Sequence, residues 1–297
     1  MRVLVAGASG FLGTALVARA RAAGHEVVRL VRHPVSAGDE SAWAPERGEV
    51  DLAEIERADA VVNLSGASLA RLPWTRGYRA EIVASRVAAT RTLVEAMRQA
   101  ASPPTVLLNA SAVGAYGDRP GETLPESAER GEGFLAEVVA VWEAEALRAP
   151  AGTRTVLLRS GIVVGRGGAM RRIAGLTRFG LSGRLGDGRQ HWPWIALDDE
   201  IGAMLHLLDS ELDGPVNLVG PAPATADHVL AALATRMRRP YVLAVPAPFL
   251  RLGLGVAADE LLLADQAAVP ERLLADGYRF ARPSVETALD AMLASTH

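Results

Sequence analysis

The run Arg2-Val3-Leu4-Val5-Ala6-Gly7-Ala8-Ser9-Gly10-Phe11-Leu12-Gly13 decides how this chain is read. Arg2 to Ala6 is a short apolar segment rich in β-formers, and it stops at a glycine turn. A helical pattern then runs from about Phe11 to Ala23. Strand, glycine turn and helix in that order bring backbone N–H groups and the positive end of a helix to a phosphate. The three glycines have separate tasks. Gly7 permits the tight turn, Gly10 lets a pyrophosphate approach the backbone, and Gly13 lets the helix lie close on the sheet. A glycine string alone reads as a loop, but here it follows a strand and opens a helix, so it predicts dinucleotide binding.

Working outward, Gly24-His25-Glu26 turns the first helix into a second strand, about Val27 to Val31. Folds that prefer NAD carry an acidic residue near this strand's end to hold the ribose 2′-OH. This chain has Arg29-Leu30-Val31-Arg32-His33-Pro34 instead. That predicts NADP, with Arg32 as the contact and Arg29 facing solvent. Ser36 to Pro45 is polar and turn-rich and reads as a surface excursion, followed by a short strand from Gly48 to Asp51. Ala58 to Gly66 reads as a buried strand whose end, Asn63-Leu64-Ser65-Gly66, faces the cofactor. A long amphipathic helix covers about Tyr78 to Gln99, with Glu81 and Arg86 near its start.

Thr105 to Asn109 is the next strand and leads into Ala110-Ser111-Ala112-Val113-Gly114-Ala115-Tyr116-Gly117. A serine at the carboxyl end of a central strand places a hydroxyl over the reacting end of a dinucleotide, where it can orient a substrate oxygen. Helices from Phe134 to Leu147 and a strand from Arg154 to Gly161 complete an alternation of strands and helices. The fold class is therefore α/β, a Rossmann-type doubly wound parallel sheet with a smaller C-terminal α/β substrate lobe. Residues 1–245 form the dinucleotide-binding domain, with lobe segments after about residue 165, and residues 246–297 form a small, mostly helical C-terminal domain. The run Gln190-His191-Trp192-Pro193-Trp194 reads as an exposed cluster forming a substrate-pocket wall, and Asp198 as the N-cap of the helix that follows.

Composition narrows the function. A net charge of −3 over 297 residues leaves no electrostatic footprint for nucleic acid. There is no cysteine, so disulfides and thiolate metal sites are excluded, and no second histidine stands at metal spacing from His191. The first apolar run is too short for a secretory leader, and no window reaches the roughly 18 apolar residues of a membrane span. The expectation is a cytoplasmic protein with a small-molecule substrate, no nucleic-acid or membrane partner and no metal, with homo-oligomerisation left open.

The spacing G-x-x-G-x-x-G at the first strand resembles the short-chain dehydrogenase/reductase superfamily, and Gly10-Phe11-Leu12-Gly13 resembles its extended, epimerase-like branch. Asn63 to Gly66, Ser85-Arg86, Ser111 to Gly117, Trp142-Glu143, Leu158 to Gly165, Gln190 with Trp194-Ile195, and Pro270 to Leu273 carry the same resemblance. Together they resemble an atypical epimerase family group with a C-terminal domain of unknown function. The resemblance implies NADP contacts at Gly7, Ser9, Gly10, Phe11, Leu12, Gly13, Val31, Arg32, Leu64, Ser65, Gly66, Glu81, Arg86 and Ala110. The strand end and the exposed cluster together give Ser111, Gln190, His191, Trp192 and Trp194 as the expected substrate contacts. The superfamily's acid/base pair, Tyr-x-x-x-Lys, is missing. Leu135 and Val139 stand in its place, which leaves Ser111 and Tyr116 as the catalytic candidates. Three readings follow: an NADP-dependent, epimerase-like oxidoreductase acting on a small polar carbonyl or hydroxyl compound such as a sugar nucleotide, a non-catalytic NADP-binding sensor or regulator, or, ranked last, an interaction module with a vestigial nucleotide site.

Overall fold

A computed structural model describes residues 1–294. The first half runs β1 (Arg2–Ala6), α1 (Phe11–Ala22), β2 (Glu26–Val31), β3 (Glu40–Ala44), β4 (Glu49–Val50), α2 (Leu52–Arg57), β5 (Ala60–Asn63), α3 (Arg76–Gln99), β6 (Val106–Ala112), β7 (Thr123–Leu124), α4 (Phe134–Ala146) and β8 (Arg154–Ser160). The second half runs β9 (Ile162–Val164), α5 (Gly168–Arg178), β10 (Ser182–Leu185), β11 (Trp194–Ala196), α6 (Leu197–Asp209), β12 (Gly214–Leu218), α7 (Ala226–Arg236), β13 (Tyr241–Val245), α8 (Ala247–Leu254), α9 (Val256–Ala258), β14 (Ala267–Ala268), α10 (Glu271–Ala275) and α11 (Val285–Ala294).

The central sheet has eight strands in the order β12-β8-β6-β5-β1-β2-β3-β4. All its pairs are parallel except β3 with β4. The order reverses between β1 and β5, which is where an open α/β sheet leaves a crevice at its carboxyl edge. The two-residue period of the strands fills two cores. Val3, Val5, Val62, Leu108 and Leu158 face α1 and α6 on one side. Leu4, Ala6, Val61 and Leu107 face α2 and α3 on the other. A third cluster joins Met170, Trp192, Trp194, Leu230, Leu233, Leu289 and Met292 and forms the core of the smaller lobe. No helix among the described residues is long and apolar enough to cross a membrane.

Two local expectations fail. Ser36 to Pro45 is not wholly a surface excursion, because Glu40–Ala44 pairs with β2 as β3. Ser41 and Trp43 point inward there, so a buried serine concealed the alternation. Asp198 does not cap α6, whose N-cap is Ala196. The neighbouring Asp199 is buried and receives the backbone N–H groups of Ala281 and Arg282 at 2.7 and 2.9 Å.

Candidate functional site

The glycine turn is built as the spacing predicts. Gly7 has φ +80°, and a Cβ on it would lie 2.8 Å from the Leu64 carbonyl carbon, so only glycine lets β1 and β5 end side by side. A Cβ on Gly13 would sit 2.2 Å from the Gly7 oxygen, and one on Gly10 3.2 Å from it. Gly10 is also the N-cap of α1 and brings no side-chain cap, and the first turn carries no acidic residue. The free N–H groups and positive dipole end of α1 are therefore left for an anion.

Above this turn lies a cavity of about 1000 Å³. Of the residues expected at a cofactor, Gly7, Ser9, Gly10, Val31, Arg32, Leu64, Ser65, Gly66 and Glu81 line it. Arg29 lines it too, against expectation. It is turned back on Asp39, with Nε and Nη2 each 2.8 Å from a carboxylate oxygen, and reaches Glu40 at 3.1 Å. Hydrogen bonds from the Arg29 and Arg21 guanidiniums hold the Asp39 carboxyl well below the usual range. Trp43, Pro45, Glu46, His33 and Ser85 also line the wall, none of them among the cofactor contacts the sequence predicts. Trp43-Ala44-Pro45 inside a polar stretch was the available signal.

Phe11, Leu12, Gly13, Arg86 and Ala110 stand outside that wall. The Phe11 ring packs on the backbone of Gly165 and Gly167, where an added Cβ would lie 2.7 and 2.2 Å from it. Leu12 packs on the main core. Arg86 is buried and donates to the carbonyls of Ala67 and Ile82 at 3.0 and 3.1 Å, with its guanidinium 5.0 Å from the Trp142 ring. Burial pulls its pKa down to about 10. Arg86 thus shapes the Gly66-Ala67 wall from behind. Asn63 supports the same loop, accepting from the Ser65 N–H at 3.2 Å and donating to Asn109 at 2.7 Å.

The catalytic candidates are all committed elsewhere. Ser111 Oγ is buried and donates to Glu143 Oε1 at 2.6 Å. Arg159 closes on the same carboxylate with Nε and Nη2 at 2.9 and 3.0 Å, and Arg130 adds a contact at 2.9 Å. Burial opposes ionisation of Glu143, yet Arg159, Ser111 and Arg130 together hold its pKa below the usual value. Tyr116 is fully buried, donates to Asn217 Oδ1 at 2.7 Å and accepts from Arg159 Nη1 at 3.1 Å. Burial raises its pKa more than Arg159 lowers it. Tyr116 thus has a cationic neighbour in Arg159 and is nonetheless a poor base at neutral pH. Leu135 and Val139 of α4 are buried and apolar, and the chain contains no lysine.

The Gln190–Trp194 run is not an exposed pocket wall. Gln190, Trp192 and Trp194 are each at most 5% exposed. Gln190 Nε2 and Trp192 Nε1 donate to the Leu262 carbonyl at 2.8 and 3.1 Å, and Trp194 Nε1 to the Ala222 carbonyl at 2.9 Å. His191 Nδ1 lies 2.8 Å from Asp265 Oδ1. For Gln190, His191 and Trp192 the physical reason is a C-terminal strap, residues 259–268. It also caps the N-terminus of α4 through Glu260, whose carboxylate receives the N–H groups of Phe134 and Leu135 at 2.7 and 3.1 Å. Gln266 Nε2 donates to the Gly117 carbonyl at 2.8 Å, and β14 pairs with β7. Among the described residues no cluster of His, Asp or Glu is placed to hold a metal ion.

Comparison with known proteins gives a consistent picture. The profile of the NAD dependent epimerase/dehydratase family matches residues 3–220, and that of DUF1731, a domain of unknown function, matches residues 245–292. The chain is 39% identical over 290 residues to "Epimerase family protein Mb2239" of Mycobacterium bovis, covering 97% of this chain and 96% of that protein. The crystal structure of human epimerase family protein SDR39U1 with NADPH shares 32% identity and a TM-score of 0.89, covering 98% of this chain and 99% of that one. A structure named as the nucleoside-diphosphate sugar epimerase from Corynebacterium glutamicum shares 30% identity and a TM-score of 0.82, covering 99% of this chain and 58% of that one. This chain, with the extended short-chain dehydrogenase/reductase fold, belongs to the NAD dependent epimerase/dehydratase family.

Proposed function

We propose that the chain binds NADP(H) in the 1000 Å³ cavity above the glycine turn. The observation that carries this is the cradle of Gly7, Gly10 and the uncapped start of α1, a turn whose close backbone packing a Cβ at Gly7 or Gly13 would break. The N–H groups of that turn would hold the diphosphate, Leu64 to Gly66 would flank the adenosine, and Arg32 would meet the 2′-phosphate. The 32% identical human structure named with NADPH supports the phosphorylated form of the cofactor.

When bound, the nicotinamide supplies a hydride donor or acceptor. What the chain adds is binding and orientation. The groups that would move a proton are tied up, with Ser111 on Glu143, and Tyr116 between Asn217 and Arg159. The geometry therefore favours a protein that holds NADP(H) as a ligand whose presence is read by its surroundings. A second reading has one observation behind it, the 30% identity to the Corynebacterium protein named as a sugar epimerase. It is an NADP-dependent oxidoreductase acting on a small polar carbonyl or hydroxyl compound such as a sugar nucleotide.

Paired fluorescence titrations of NADPH and NADH test the first claim. Tight NADPH binding that weakens in Arg32→Ala, with NADH unaffected, is the expected result. Binding of neither cofactor refutes the cavity assignment. Oxidation of NADPH by any member of a carbonyl and sugar-nucleotide panel, lost in Ser111→Ala, would replace the ligand reading with the oxidoreductase one.

A further inference from the structure

The sequence around Arg32 shows no carboxylate for an incoming 2′-phosphate to contend with, yet the fold brings one there. Glu46 sits on the short turn after β3, and its Oε1 lies 3.8 Å from Arg32 Nη1. Both side chains are largely exposed, 72% for Arg32 and 68% for Glu46. The pair stands on a boundary. Val31, Arg32, His33, Trp43 and Glu46 line the main cavity and also a second one of about 510 Å³ that continues past it toward Arg47, Glu49 and Val50. Of the neighbouring cations, Arg29 is engaged by Asp39 and Glu40, and Arg47 by Glu49 at 2.6 Å. That leaves Arg32 and His33 to face an added phosphate.

We infer that Glu46 is a specificity-determining residue of the cofactor site, a resident counter-anion on Arg32 that limits how strongly the protein prefers NADP(H) over NAD(H). This rests on the cavity being the cofactor site. A 2′-phosphate brings close to two negative charges. To reach Arg32 it must displace the Glu46 carboxylate or bind beside it, and either costs affinity that NADH, with a neutral 2′-hydroxyl, does not lose. The preference is set by the difference between Arg32 and Glu46 rather than by Arg32 alone, an instance of specificity tuned by a repulsive element.

The test is Glu46→Gln, which keeps the side chain's size at an exposed position and removes its charge. NADPH and NADH dissociation constants are measured by fluorescence for both proteins, with adenosine 2′,5′-bisphosphate as a probe lacking the nicotinamide. Glu46→Gln should tighten NADPH and the bisphosphate about three- to tenfold, with the effect shrinking at high salt, and move NADH by less than about twofold. Unchanged or weaker NADPH binding in the variant overturns the inference while leaving the cofactor site in place. Equal tightening of NADPH and NADH also overturns it, because Glu46 would then be acting on the shared adenosine. Wild-type protein that binds neither cofactor removes the cavity assignment and this inference with it.

Discussion

Glu200 offers the most quantitative test of the packing. It lies in α6, is fully buried, and accepts a hydrogen bond from Ser160 Oγ at 2.6 Å through Oε1, while Oε2 has no partner among the described residues. Complete desolvation, only partly offset by Ser160, raises its pKa from 4.5 to about 8. Below pH 4.5 the folded and unfolded chains both carry the proton. Between pH 4.5 and 8 the unfolded chain ionises and the folded one does not, so stability falls by about 1.4 kcal/mol per pH unit. Above pH 8 the penalty is constant, at about 5 kcal/mol in all. Glu200→Gln keeps an oxygen for Ser160 but cannot ionise. Its amide nitrogen, placed where Oε2 stood, costs about 1–3 kcal/mol at every pH. The absolute change at one pH therefore decides nothing, and its pH dependence decides everything. Urea unfolding of both proteins at pH 5 and pH 7 should show the Gln variant gaining about 2–3 kcal/mol on the wild type between the two. A difference that stays constant within about 0.5 kcal/mol would mean that Glu200 is not held neutral by burial, and would refute the reasoning.

Other expectations are shorter to state. Glu143→Ala strands the buried Arg159 charge and frees Ser111, and chemical denaturation should register a loss of about 3–5 kcal/mol. Tyr116→Phe removes a hydroxyl bonded to Asn217 and Arg159, so it should cost about 1–2 kcal/mol in the same assay and leave NADPH affinity unchanged in a titration. Gly13→Ala forces α1 off the turn, because its Cβ would lie 2.2 Å from the Gly7 oxygen, and NADPH binding should drop by at least about tenfold. Glu260→Ala uncaps α4 and should lower stability by about 1 kcal/mol, read as a shift in thermal midpoint.

The dinucleotide half was legible because its signals are local. The β-forming run Val3-Leu4-Val5 and the glycines at 7, 10 and 13 each act within a few residues of themselves. The rest depends on distant partners. Ser111 reads as a free hydroxyl until Glu143 arrives from α4, and Tyr116 as a spare acid until Asn217 arrives from β12. Trp192 and Trp194 looked like pocket lining because nothing nearby hints that Leu262 and Ala222 supply acceptors for their indole N–H groups. Glu46 is not legible as a neighbour of Arg32 because the strand between them, β3, carries a buried serine and reads as loop.

The strap of residues 259–268 bears on how this chain is made. Its contacts reach back to Gly117, Leu124, Phe134 and Gln190, all synthesised well before it. A ribosome releases these earlier segments while the α4 N-terminus still lacks its cap and Gln190 and Trp192 still lack their acceptor. The lobe can assemble in part during translation, but it is fastened only when residues 259–268 emerge. Genetic fusions or truncations that cut within the 245–292 segment should therefore give protein that collapses around its central sheet and is readily cleaved by protease near residues 118–133.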